Sequence, residues 1–443
     1  MSPQPPSSKI GLLTALAIVV ANMIGTGIFT SLGFQVQSVP AILPLLLLWV
    51  TGGVIALCGA LSYGELGAAL PRSGGEYHLL SRIYHPALGF LSGWISVTVG
   101  FAAPAALAAI ALATYLKTLI PALSVTHFAA VVVLLFTVVH SVSLRFGSYS
   151  HNFLTGLKVL IIVVFLIAAM RVESWPAFSL LPRTGEMALV ASPGFAVSLI
   201  YVSFAYAGWN AAIYVVGEIQ DPQKNLPRAL LGGTLLVLTL YVLLNFVFLY
   251  TVPLPELSGQ IQVGYLSGAK IFGEAGGKMM AGVIAFLLVS TVSGHVLVGP
   301  RITQVMGEDY HALRLLQRKS SNGIPVNSFI FQLALMLIMI YSATFDQVMV
   351  YAGFTLNLVT TLTVAGVFVL RRRQPGLDRP YRTWGYPVIP ALFLLMSAWT
   401  LTFVMLDKPL ESAIGVGVVL LGLSVYIVNE RILKKTPAAT SNG

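Results

Sequence analysis

The sequence predicts an all-α integral membrane protein of twelve transmembrane helices, the first and the sixth of them broken. Three observations predict it. Apolar residues make up 57% of the 443-residue chain and charged residues only 9%, against roughly 25% charged in a soluble domain. Twelve apolar stretches reach or approach the roughly 20 residues that a helix needs to cross the hydrocarbon of a bilayer. Two of these stretches are interrupted in the middle by residues that a continuous helix disfavours.

Residues 1–10 are Ser/Pro-rich and read as a disordered cytoplasmic tail. The apolar run that follows offers no small-residue cleavage site before its glycines, so no signal peptide is expected. The first span, 11–36, carries Gly25-Thr26-Gly27-Ile28-Phe29 at its centre. The second, 41–68, leads through Glu65-Leu66-Gly67 into Pro71-Arg72-Ser73-Gly74-Gly75-Glu76-Tyr77, whose Gly and Pro content predicts a structured turn rather than a helix. The third, fourth and fifth spans cover 86–115, 125–143 and 153–172. The sixth, 192–217, is interrupted at Phe204-Ala205-Tyr206-Ala207-Gly208-Trp209. Beyond it, Asp221-Pro222 and Leu226-Pro227 stop one helix and start the next, which places the seventh span at 229–252. The remaining spans are 277–305, 325–343, 346–370, 385–406 and 410–429, and residues 430–443 form a second tail.

The first ten spans divide into two sets of five, 11–172 and 192–370, each opened by a broken helix. An odd number of spans in each set gives the two opposite orientations, the pattern of an inverted repeat. Residues 385–429 lie outside it. Breaks at corresponding places in two halves point to a transporter's binding site. Backbone groups freed in a membrane are tolerable only where they face protein, water, ion or substrate.

The net charge of +10 suggests nucleic acid until its distribution is considered. With the N-terminus in the cytoplasm, Lys117, Arg171, Arg183, Lys270, Lys278 and Lys408 fall outside and Lys158 falls within a span. All the other Lys and Arg fall inside, about three to one, which predicts cytoplasmic termini. The basic excess is therefore a topology signal and an attraction to anionic lipid. The run Arg371-Arg372-Arg373 reads as a solvated or lipid-facing helix end. The single cysteine, Cys58, excludes a disulfide framework and a cysteine-based metal site, and it reads as a small core residue. No cofactor or metal is expected. His-Glu-x-x-His, Gly-x-Ser-x-Gly and clustered intramembrane carboxylates are absent, so an enzyme is not expected. Neither a polar stripe nor charged rings suggest a channel.

The two interrupted spans, the Pro-Arg-Ser-Gly-Gly-Glu-Tyr turn and the run Gly217-Glu218, Asp221-Pro222, Asn225-Leu226-Pro227 together resemble the amino acid–polyamine–organocation (APC) superfamily of transporters, and within it the L-type amino acid transporter branch. The resemblance covers nearly the whole chain. It implies a LeuT-like fold of five plus five inverted helices and amino acid transport by alternating access. Eukaryotic L-type members carry a cysteine after helix 3 that bonds a single-pass partner. Residues 116–124 hold none here, so no disulfide-linked subunit is expected, and a stand-alone permease of a bacterial inner membrane is favoured.

An amino acid is a zwitterion. Its carboxylate needs donors, which the half-helix after the first break supplies as backbone N–H groups and a positive dipole end. This assigns Thr26, Gly27 and Ile28 to the carboxylate, with the Thr26 hydroxyl as a further donor and Gly25 opening the backbone. The ammonium needs acceptors, and the carbonyls of Met23, Phe204 and Ala207 are the candidates. By resemblance these positions match the family's substrate contacts, and Phe204 corresponds to an aromatic gate. Asn210 either bonds substrate or holds helix 6 to helix 1. Trp209 reads as structural.

Lys158 is an ionisable residue within the fifth span, which is functional by default. In this family a lysine there reaches the helix-1 break and helix 8, where sodium-coupled relatives hold an ion. Its ammonium is expected on carbonyls near Gly25 and on hydroxyls such as Ser290 or Ser293. The bland alternative is snorkelling to the membrane face. His295 reads as an interhelical hydrogen-bond partner. Glu65, Glu76 and Glu218 are expected to pair with Arg72 and Arg228 in an inner network. With no counter-ion for a cationic side chain, neutral substrates are expected, and Ala207 in place of glycine mildly favours small or medium ones. The expectation is thus sodium-independent exchange of neutral L-amino acids. Proton symport with Lys158 as the proton site, or a sensor that binds without transporting, are the alternatives.

Overall fold

The computed structural model describes residues 9–142, 149–175, 177–320 and 323–435. The first eight residues of the N-terminal tail, Arg145 and the tail beyond residue 435 lie outside the described residues. Helix α1 (Leu12–Met23) ends at a non-helical stretch over residues 24–26 and resumes as α2 (Gly27–Thr30) and α3 (Leu32–Ser38). After α4 (Ile42–Ala69), Gly74 and Gly75 take φ of 131° and 58°, a region that favours glycine. The expected turn ends there, because residues 75–83 form α5 (Gly75–Ile83), which buries Leu79, Leu80 and Ile83 at helical spacing.

The third span is also interrupted. Between α6 (Pro86–Ile95) and α7 (Ala102–Lys117) lies a π-helical turn, Ser96–Gly100, in which Phe101 N bonds Ser96 O at 3.0 Å. Pro104 explains it, since it has no N–H to offer the Gly100 carbonyl. Then come α8 (Val125–Val142), α9 (Tyr149–Ala169) and α10 (Pro193–Tyr206). Helix α10 starts on Pro193 with the Ser192 hydroxyl accepting from Phe195 N. A 3₁₀ segment, Ala211–Glu218, follows the second break.

Helix α11 (Pro222–Thr251) starts earlier than expected, on Pro222, and carries Pro227 inside it. Pro222 sits where its missing N–H is not needed, and Pro227 costs one bond near the helix end. Helix α12 (Leu254–Leu257) precedes α13 (Val263–Asp309), which kinks at Gly273 with φ 76° and so begins well before the expected 277. The chain ends with α14 (Val326–Ser342), α15 (Phe345–Arg373), α16 (Val388–Asp407) and α17 (Pro409–Lys435). Thr344 and Gln347 form a capping box at the start of α15. Among the described residues ten helices are long and apolar enough to cross a membrane, and Thr155–Ala169 and Val326–Ser342 are apolar but shorter. There is no β-strand among them.

Helix α11 packs on α1 and α4, and α13 packs on α7 and α8. The two breaks interlock backbone to backbone. A side-chain carbon on Gly27 would lie 2.5 Å from Ala205 Cα, and one on Gly208 (φ 103°) would lie 2.7 Å from the Asn22 carbonyl carbon. Cys58 is buried, as expected.

Arg371 and Arg373 are not a purely solvated helix end. Arg371 Nε and Nη2 donate to Glu65 Oε1 and Oε2 at 2.8 and 2.7 Å, and its guanidinium stacks 3.7 Å from the Tyr386 ring. Arg373 Nη1 donates to Ile83 O at 3.1 Å. Glu65 is 1% exposed, and a buried carboxylate needs a cation and donors. It takes Arg371 and the Thr383 N–H, with Arg379 3.6 Å away, rather than Arg72 or Arg228.

Candidate substrate-binding site

A cavity of about 640 Å³ lies where the two breaks meet, within the range of small-ligand sites. Every residue predicted for the site lines this cavity except Ile28, which is fully buried outside its wall. The cavity extends along α1 to Thr14 and along α13 to Ile302. The opposite side of the breaks is packed. There Tyr115 donates to Phe29 O at 2.7 Å and accepts from Gly264 N at 3.1 Å, while Phe34 stacks on Tyr201 and Phe345.

At the first break, Thr26 O accepts from Phe29 N and from the Thr30 hydroxyl, at 3.1 and 2.9 Å. The Thr26 hydroxyl is buried and has no hydrogen-bond partner among the described residues. Gly27 and Ile28 begin the half-helix, where N–H groups have no intrahelical acceptor. This gives a pocket wall that donates.

The accepting wall is more engaged than the sequence suggests. Met23 O takes a 2.6 Å bond from the hydroxyl of Tyr241, which also reaches Ala205 O at 3.3 Å. Tyr241 thus bridges both breaks from α11, and sequence reasoning missed it. The signal was a tyrosine inside an apolar span, whose buried hydroxyl must find a partner. Phe204 O accepts from Ala207 N at 3.1 Å, closing the end of α10. A carbonyl has a second lone pair, so both oxygens can still accept. The Phe204 side chain stands on the cavity wall, 8% exposed.

Lys158 is buried, 7% exposed, which is not the geometry of a snorkelling side chain. Its ammonium donates to Ile24 O at 3.1 Å and to the Thr291 hydroxyl at 3.3 Å. The carbonyl is next to Gly25, as expected, but the hydroxyl is neither Ser290 nor Ser293. Ser290 donates to Leu287 O at 2.7 Å, and Ser293 pairs with His140 Nε2 at 2.9 Å. Of the hydroxyls at 290, 291 and 293, the one on Thr291 bonds the Lys158 ammonium.

Asn210 lines the cavity and is held by α5 rather than by helix 1. Its Nδ2 donates to Glu76 Oε1, so it ties the second break to α5. Glu76 also accepts from Tyr214 and, at 3.1 Å, from Tyr63. These donors occupy the carboxylate where Arg72 and Arg228 were expected. Gly217 N donates to Ser73 Oγ at 3.0 Å, another tie between the same segments. Trp209 packs edge-on against Tyr63, with ring centroids 4.7 Å apart, in the structural role read for it. His295 Nδ1 bonds Thr291 O of its own helix at 2.8 Å, while its carbonyl accepts the interhelical bond from Gln332 Nε2 at 3.1 Å.

Two broken helices around one cavity packed shut on one side, with a donating and an accepting wall, suit a small zwitterion. Residues 10–427 match the model of the amino acid permease family. The chain belongs to that family. This permease is 30% identical over 437 residues to the large neutral amino acids transporter small subunit 2 of Rattus norvegicus, a match spanning 95% of the chain and 80% of the relative. It is 28% identical to the b(0,+)-type amino acid transporter 1 of Homo sapiens, over 90% of the chain and 83% of the relative. It is 27% identical to the serine/threonine exchanger SteT of Bacillus subtilis (strain 168), over 94% and 96%. The permease is a multi-pass membrane protein of the APC superfamily, similar to the L-type transporters, and its activity is amino acid transport rather than an enzymatic reaction.

Proposed function

We propose that this permease exchanges neutral L-amino acids across a bacterial cytoplasmic membrane by alternating access, without sodium. Twelve spans form two inverted sets of five, 11–172 and 192–370, with 385–429 outside the repeat and both termini cytoplasmic. The substrate carboxylate sits on the Gly27 N–H and the Thr26 hydroxyl, which line the cavity, with the Ile28 N–H behind them at the start of the half-helix. The ammonium sits on the carbonyls of Met23, Phe204 and Ala207, and Phe204 closes over it. The cavity's extension toward Thr14 and Ile302 corresponds to an inward-facing state in this topology.

The observation that carries the reading is the Lys158 ammonium on Ile24 O and Thr291. A fixed positive charge there does the bracing that a coupling cation would do, so the cycle needs no ion. Exchange is favoured by the likeness to the Bacillus subtilis serine/threonine exchanger, and neutral substrates by the likeness to the rat large neutral amino acids transporter subunit. Glu76 is the acidic residue on the cavity wall, and three hydrogen bonds from Asn210, Tyr214 and Tyr63 tie its carboxylate into the scaffold, which favours neutral substrates over cationic ones. The rat relative is named a small subunit. A disulfide-linked partner is not proposed here, since Cys58 is buried and residues 116–124 lack cysteine.

One observation favours proton symport as a second reading. Lys158 has no carboxylate within ion-pair distance among the described residues, so its proton is held by neutral acceptors alone. Uptake of labelled neutral L-amino acids into sodium-free proteoliposomes separates the readings. Uptake only into vesicles preloaded with amino acids supports exchange. Uptake into empty vesicles that grows with an inward proton gradient supports symport. Binding with no flux supports a sensor.

A further inference from the structure

We propose that Glu76 is a positioning residue for the second break, acting through Asn210 and Tyr214 and not on the substrate itself. This rests on the reading that the Phe204 and Ala207 carbonyls receive the substrate ammonium. Those carbonyls end a helix, and the next regular segment starts only at Ala211. Their direction therefore depends on what anchors the chain just beyond them.

The anchor is Glu76. It is 3% exposed, on α5, and its two oxygens are divided between two donors that follow the break and one on α4. Oε1 takes Asn210 Nδ2 and the Tyr63 hydroxyl, and Oε2 takes the Tyr214 hydroxyl. Tyr63 in turn packs edge-on against Trp209. Three consecutive features of the segment, Trp209, Asn210 and Tyr214, are thus referred to one carboxylate. The seat is shaped for it, because a side-chain carbon on Gly75 would lie 2.4 Å from the Tyr214 ring.

Glu76 is the acceptor in all three bonds. All three neighbours can donate at once only to a group that is acceptor on both oxygens. An amide offers one accepting oxygen, and its NH₂ would turn a tyrosine hydroxyl into an acceptor, so the charge-assisted bonds become neutral ones. Charge-assisted bonds of this kind are roughly twice as strong as neutral ones. No cation lies within ion-pair distance of Glu76 among the described residues, so the charge is held by these donors and is spent on fixing the break.

The test is sodium-free exchange in proteoliposomes, measuring the half-saturating concentration of an equimolar mixture of neutral L-amino acids. Glu76→Gln is expected to raise it about tenfold with folded yield unchanged, the effect of losing a bond to a charged group. Asn210→Asp sets two carboxylates together and is expected to raise it as much. The double variant Glu76→Gln/Asn210→Asp restores a carboxylate–amide pair and is expected to return to within about threefold of the parent. A wild-type value for Glu76→Gln, or a double variant no better than the singles, overturns the proposal. If Glu76→Gln does not fold, Tyr214→Phe removes one donor and keeps the carboxylate. Its expected rise is about threefold, and no rise overturns the proposal. Competition by the matching α-hydroxy acids, which lack the α-ammonium, reports on the underlying reading, and Thr26→Val on the carboxylate end of the same site. Weak competition by the hydroxy acids with a wild-type value for Glu76→Gln overturns this proposal alone, and competition as strong as by the amino acids overturns the ammonium reading and the proposal with it.

Discussion

Lys158 donates its ammonium proton to the carbonyl of Ile24, 3.1 Å away, at the residue where the first helix stops. A carbonyl freed by a helix break inside a membrane is costly unless it is paired. The same ammonium reaches Thr291 on α13. One side chain on α9 therefore joins the break to the helix that faces it across the cavity.

Lys158→Ala leaves Ile24 O without that donor and unlinks α1 from α13. Transport is expected to fall at least about tenfold, the equivalent of one charged hydrogen bond. Uptake by the purified variant, at matched folded amounts, checks this. Full activity would assign the lysine to packing.

Thr26→Val keeps the shape of the side chain and removes the hydroxyl. Because that hydroxyl has no hydrogen-bond partner among the described residues, its loss costs the empty protein little. The expected result is unchanged thermal stability and about tenfold weaker substrate binding. Equal binding by both proteins would take the hydroxyl off the carboxylate.

Gly27→Ala puts a carbon 2.5 Å from the backbone of Ala205. Neither helix can yield without moving a break, so overpacking of about 1–3 kcal/mol is expected, with transport lost. Gly25→Ala meets only ordinary contacts, the nearest 3.7 Å away, and is expected to fold normally. Melting temperatures of the two variants in detergent check the contrast.

The Gly-Thr-Gly and Phe-to-Trp interruptions were legible because they open two sets of five spans at corresponding places, whereas a lone glycine in an apolar span commonly marks close packing. The role of each glycine was not. Gly27 proves to be a packing position and Gly208 a backbone bend against Asn22, distinctions that depend on which helix crosses at that height. The π turn at Ser96–Gly100 was also hidden. Pro104 alone signals it, and a proline within a span more often marks a simple kink. The partners of the acidic residues were beyond reach for a different reason. Glu65 and Arg371 lie far apart in sequence, and local charge pairing made Arg72 and Arg228 look nearer than they are.

Glu65→Gln leaves Arg371 half-buried with one acceptor in place of two and weakens the Thr383 bond. A loss of about 1.5–3 kcal/mol of stability is expected, larger than for any change at the exposed pair Lys278–Glu274. Thermal unfolding of the two variants side by side tests this.

The most direct test of the central claim compares amino acid exchange by proteoliposomes in sodium with exchange in potassium at equal ionic strength. If the Lys158 ammonium stands where an ion would, rates and half-saturating concentrations are the same in both. Faster uptake in sodium, or accumulation in empty vesicles driven by an inward sodium gradient, would contradict the account.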